Sequence, residues 1–107
     1  MPTYVLMTKL GPVSSGAEEP GRRERGQRWK EAVDRLCPNV KWISHFALLG
    51  PYDFMDIYEA PSDEVAMKVS MLSRAKGAVI AESWPAVRYG DFLQLVEDVE
   101  AETRRDA

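Results

Sequence analysis

ALLGPYDFMDIYEA, residues 47 to 60, decides how this chain folds. Two runs of strand-forming residues flank Gly50, Pro51, Tyr52 and Asp53, and Pro51 supplies the fixed φ that a turn position favours. The reading is an antiparallel hairpin in which VKWISHFALL, residues 40 to 49, pairs with FMDIYEA, residues 54 to 60. The second strand carries an acid, Asp56, between Met55 and Ile57. A carboxylate on a half-apolar strand is costly unless it is paired or hydrogen-bonded, so its face is expected to be a site or an interface.

Upstream, TYVLMTK, residues 3 to 9, reads as a first strand that stops at Gly11-Pro12. GPVSSGAEEPG, residues 11 to 21, has the composition of a loop and is expected to be flexible. From Arg22 to Leu36 the residues Trp29, Ala32, Val33 and Leu36 recur at i, i+3, i+4 and i+7, which predicts a helix that frays near Gly26 and ends before Pro38. Downstream, Ser62 caps a second helix with Asp63 and Glu64 in its first turn and Val65, Val69 and Leu72 on its buried face; Lys76 and Gly77 close it. AVIAESWPAV, residues 78 to 87, is a fourth strand whose Pro85 implies an edge or a bulge. Asp91 caps a third helix carrying Phe92, Leu95, Val96 and Val99, with a frayed tail expected at 100 to 107. The order β-α-β-β-α-β-α is that of an α+β ferredoxin-like fold, βαββαβ, with an additional C-terminal helix, in a single domain spanning residues 1 to 107.

At 107 residues the chain has room for one core. Its 45% apolar and 29% charged residues are those of an ordinary globular domain. Fourteen basic against seventeen acidic side chains leave a formal charge of -3, the wrong sign for neutralising phosphates, so nucleic acid is not an expected partner. No run approaches the roughly 20 apolar residues of a membrane helix, and MPTYVLMTKL lacks the basic leader and cleavage site of a secretory signal. Cys37 is the sole cysteine, which excludes an intrachain disulfide and suits a cytoplasmic location. No phosphate-binding glycine loop, H-E-x-x-H or C-x-x-C occurs, so no metal or other cofactor is expected.

The candidate site residues come from the hairpin. With Leu49 opposite Phe54, Ala47 faces Asp56 and His45 faces Tyr58. Alternation then puts Trp42, Phe46, Leu48, Met55 and Ile57 on one face, apolar enough to take the helices. Ile43, His45, Ala47, Leu49, Phe54, Asp56 and Tyr58 fall on the other, expected to be free of helices and to meet a ligand or a second subunit. His45 is the only histidine, and with Asp56 and Tyr58 it forms the candidate catalytic trio. Ile43, Ala47, Leu49, Phe54 and Tyr52 are the candidate ligand-binding residues. Asp53 reads as a turn residue bonding nearby backbone N–H groups. Cys37, at a helix C-terminus where the dipole disfavours a thiolate, reads as packing. Arg22, Arg23, Arg25 and Arg28, near Glu18, Glu19 and Glu24, read as a solvated helix face.

Gly50, Tyr52 and Asp53, read as G-x-Y-D, resemble the signature of the GYD domain family. TYVLMTKL, ALLGPYDF, EAPSDE at 59 to 64 and GAVIAES at 77 to 83 resemble the same family in the same order. The resemblance implies a small ferredoxin-like domain similar to the dimeric α+β barrels, with no single activity shared across the family. The stretch from 11 to 21 is longer and more irregular than the family's usual first loop.

The sequence supports three uses of the polar face. One is a homodimer or higher homo-oligomer that binds a small, largely apolar molecule between the sheet and a lid formed by the third helix or the 11 to 21 loop. Another is a cofactor-independent enzyme of isomerase, cyclase or monooxygenase type, with His45 as acid or base. The third makes the trio an assembly device alone. An RNA-recognition domain also shares this fold, but TYVLMTK and FMDIYEA lack its stacking motif.

Overall fold

The computed structural model describes residues 1–11 and 21–105, so all but the ends of the loop expected at 11 to 21 lie outside the described residues, as do the last two residues of the tail. The elements follow the order β1 (Thr3–Leu10), α1 (Arg22–Leu36), β2 (Lys41–Ala47), β3 (Phe54–Glu59), α2 (Asp63–Ala75), β4 (Ala78–Ala86) and α3 (Tyr89–Arg105). The strands form one antiparallel sheet in the order β2-β3-β1-β4. This is the ferredoxin-like arrangement with a C-terminal helix.

Local chemistry sets the boundaries. Ser62 Oγ accepts the Val65 N–H at 3.3 Å, and Asp63 and Glu64 occupy the first turn of α2. Gly77 follows α2 with φ +116°, a conformation that favours glycine, and its carbonyl accepts the Gly11 N–H at 3.1 Å. Pro85 lies in β4, an edge strand, where a missing backbone donor is tolerated. α1 runs unbroken through Gly26, although a mid-helix glycine costs about 0.5–1 kcal/mol relative to alanine. Packing of Trp29, Ala32 and Val33 against the core holds the helix at the point where its glycine predicts fraying.

The core lies between the sheet and the pair α1 and α2. Val33 and Val69 meet Tyr4, Leu6 and Tyr58, all five almost wholly buried. Tyr4 stacks on Tyr58 at 5.5 Å between ring centroids, and Trp42 sits 5.3 Å from Tyr58 and 5.2 Å from Trp29. Cys37 is a buried packing residue, as its position predicts, and burial pushes its thiol up.

Three expectations are corrected here. The turn is longer than four residues: Ala47 pairs with Phe54 and His45 with Asp56, a shift of two from the expected register. An even shift keeps side chains on their faces, but an irregularity between Trp42 and Ser44 carries Trp42 across to pair with Tyr58. The faces are also exchanged. The helices cover the side bearing Tyr4, Leu6, Asp56 and Tyr58, whereas Phe46, Met55 and Ile57 share the helix-free side with Val5, Met7 and Trp84. Finally, α3 continues to Arg105, packs against no other described element and buries none of its residues. It lies over neither sheet face of its own chain as a lid, and the described chain extends 67 Å along its longest axis.

Candidate functional site

Pairing of β2 with β3 sets His45 directly opposite Asp56, with Nδ1 2.5 Å from Oδ1. Asp56 is buried on the helix-covered face beside Leu6 of β1. The His45 side chain is 60% exposed and stacks on Phe54 at 5.4 Å. Burial pushes the Asp56 carboxyl above the ordinary carboxylate range, while the charge and hydrogen bond of His45 pull it down. The buried carboxylate orients the ring through Nδ1, and Nε2 stays available to a bound molecule.

A cavity of about 650 Å³ lies between α1 and the sheet beside this pair. Trp29, Trp42, Ile43 and Phe54 give it an aromatic and apolar lining, and His45, Asp56 and Thr8 add a polar wall. α1 contributes the stripe Arg23, Gly26, Gln27 and Lys30 at i, i+3, i+4 and i+7. Arg25 and, at the end of α2, Lys76 also line it. Trp29 is fixed by its Nε1–H, which donates to Ser73 Oγ at 2.7 Å, and Ser73 Oγ donates to the Val69 carbonyl at 2.8 Å. The buried Trp42 indole N–H finds no acceptor among the described residues.

Of the residues singled out from the sequence, His45, Asp56, Ile43 and Phe54 meet at this cavity. Tyr58 does not. It is a fully buried core residue whose hydroxyl bonds Ser83 Oγ at 2.6 Å, and Ser83 in turn bonds Ser70 at 2.7 Å. Burial pushes the Tyr58 phenol up to about 12, so it keeps its proton at neutral pH. Ala47 is exposed outside the cavity, and Leu49 is fully exposed in the turn. Tyr52 belongs to the other side of the sheet, where its hydroxyl donates to Glu82 at 3.2 Å and its ring meets Trp84 edge-on. The site of the acid–histidine pair is therefore on the helix-covered face, not the free one.

Sequence reasoning passed over Trp29, Trp42 and the basic stripe as cavity residues. Trp29 shares the core stripe of α1, and the arginines are masked by neighbouring glutamates; the usable signal was the i, i+3, i+4, i+7 spacing of Arg23, Gly26, Gln27 and Lys30. No group of three or more His, Cys, Asp or Glu side chains suited to a metal ion occurs among the described residues. No described helix is long and apolar enough to cross a membrane.

A four-stranded antiparallel sheet, two helices on one face and a cavity beneath the first helix define a ferredoxin-like α+β domain. The family model for the GYD domain matches residues 4–96, nearly the whole chain, and the chain belongs to the GYD domain family. It is 26% identical over 95 residues to the glutamine synthetase and cystathionine beta-lyase binding protein of Thermus thermophilus, a match covering 87% of this chain and 96% of that protein. Among solved structures, the crystal structure of FFRP-DM1 is similar with a TM-score of 0.49 and 17% identity, covering 81% of this chain and 100% of that one.

Proposed function

We propose that this chain is a small binding domain whose ligand site is the cavity between α1 and the sheet, with His45 and Asp56 in its wall. The observation that supports this best is the juxtaposition of a roomy aromatic-lined cavity with an oriented, solvent-facing imidazole. Native mass spectrometry of freshly purified protein tests it. Retained small-molecule mass that is lost in His45→Ala supports the reading. Full retention in His45→Ala, or a protein that neither carries nor takes up any small molecule, counts against it. The same pair suits proton transfer on a carbon acid, and turnover abolished by His45→Ala with ligand affinity kept would move the reading from binding to catalysis.

Self-assembly is a second reading, favoured by two apolar surfaces of the same chain. α3 exposes Phe92, Leu95 and Val99, and the helix-free sheet exposes Phe46 and Trp84. Solvent-exposed apolar stripes of this extent on a stable domain are normally covered. A second copy covers both at once when each protomer lays its sheet or helix on its partner, an isologous arrangement. The Thermus relative is by name a binding protein for two enzymes. A monomer at high concentration would count against a second copy and turn attention to a different protein as the occupant.

A further inference from the structure

The wall that α1 gives the cavity contains a residue that the helix does not need. Gly26 sits inside a 15-residue helix, where glycine is less stable than alanine. Neither backbone nor packing asks for it: its φ is not positive, and a Cβ there would meet nothing within 4 Å. Its effect is to leave the cavity wall bare between Arg23 and Lys30, which stand one turn to either side.

The cavity is also charged against the trend of the molecule. The chain carries a formal charge of -3. The described cavity walls nevertheless hold Arg23, Arg25, Lys30 and Lys76 against Asp56 as the sole acid, and Asp56 is already held by His45. Arg28, on the outer side of α1, pairs with Glu24 at 3.0 Å. Arg23, Lys30 and Lys76 have no such ion pair among the described residues. A concave site with aromatic walls, in which Arg23, Lys30 and Lys76 meet no ion-pair partner among the described residues, favours an anion, because clefts of one sign concentrate counter-charged ligands.

We propose that the cavity takes a small organic anion, a carboxylate, sulfonate or phosphate on a flat apolar body. The acidic group lies among Arg23, Lys30 and Lys76, and the body enters the space left by Gly26, against Trp29, Trp42 and Phe54. This inference rests on the cavity being the binding site, and it changes the expected ligand from largely apolar to acidic.

The test uses two probes of one shape, 8-anilinonaphthalene-1-sulfonate and its uncharged counterpart N-phenyl-1-naphthylamine, followed by energy transfer from the tryptophans. The anion is expected to bind at least about tenfold more tightly, and more weakly as salt is added. Arg23→Glu combined with Lys30→Glu is expected to erase that preference without weakening the uncharged probe. Gly26→Ala raises the thermal midpoint, while Gly26→Leu stays folded by circular dichroism and excludes both probes. Equal affinity for both probes, with Gly26→Leu still excluding them, overturns the anion inference and leaves the cavity as a binding site. Probe binding that Gly26→Leu does not alter, or no binding of either probe, overturns both.

Discussion

Asp53 holds the end of β1: its Oδ2 accepts the backbone N–H of Leu10 at 2.7 Å, across 43 residues of sequence. Its own N–H donates to the Thr8 carbonyl at 2.8 Å, and its carbonyl accepts the Leu48 N–H at 2.8 Å. The acid of the G-P-Y-D turn is thus a clamp between the β2–β3 turn and the neighbouring strand, rather than a residue that serves its own turn alone.

Asp53→Ala is therefore expected to destabilise the fold by about 1–3 kcal/mol, the range for leaving a part-buried donor unsatisfied. Asp53→Asn keeps an acceptor oxygen and is expected to recover most of the loss. Urea midpoints of the three proteins check this, and an Ala variant as stable as the parent would remove the clamp from the account.

The His45–Asp56 pair predicts a pH-dependent stability. Burial raises the Asp56 carboxyl above the ordinary carboxylate range, so the folded state favours the protonated form. That contribution is fully present below the unfolded carboxyl range and is lost as pH rises through the folded value. Removing the His45 partner, which pulls the carboxyl down, extends the loss to higher pH. His45→Ala is expected to cost about 1–3 kcal/mol near neutrality, with the penalty shrinking toward about pH 4. Asp56→Asn is expected to flatten the profile. A His45→Ala penalty that does not vary with pH would show that the carboxylate is not desolvated.

The assembly reading predicts that one substitution on either apolar surface is sufficient to separate subunits. Phe46→Glu on the sheet and Leu95→Glu on α3 place a charge at side chains that are 49% and 51% exposed in the single chain. Neither is expected to change the stability of an isolated protomer by more than about 0.5 kcal/mol. Light scattering after gel filtration is expected to show a dimer or larger species for the parent and a monomer for each variant. Variants that keep the parent's mass would clear these surfaces of the interface.

The order of elements was legible because each boundary carries its own local chemistry: Ser62 at a cap, Gly77 after α2, Pro38 after α1. The hairpin's sheet faces were not. Both faces of β2 and β3 are apolar enough to be core, and what decides between them is which polar side chains find partners once the whole sheet is assembled. Tyr58 is acceptable inside because Ser83 and Ser70, on β4 and α2, satisfy its hydroxyl; Asp56 is acceptable because His45 meets it. Trp42 crosses faces through an irregularity at Ile43 that no residue type announces. The acid–histidine pair was legible because the register error was even and left both on one face. The cavity was not, since its walls come from four separate elements besides the hairpin: β1, α1, α2 and β4.

Tyr58 separates an architectural role from a chemical one. Its hydroxyl belongs to the Tyr58–Ser83–Ser70 chain, and its phenol, pushed up to about 12 by burial, neither gives up a proton near neutrality nor reaches the cavity. Tyr58→Phe removes one partner while Ser70 and Ser83 continue to bond each other, so a loss of about 0.5–1.5 kcal/mol in stability is expected. Binding of the anionic probe is expected to be unchanged in this variant, whereas substitutions at Gly26 or at the Arg23 and Lys30 pair move it. Comparing urea midpoints with probe titrations on the same preparations separates the two effects. A Tyr58→Phe protein of parental stability that fails to bind the probe would return the phenol to the site and require the core to open toward the cavity.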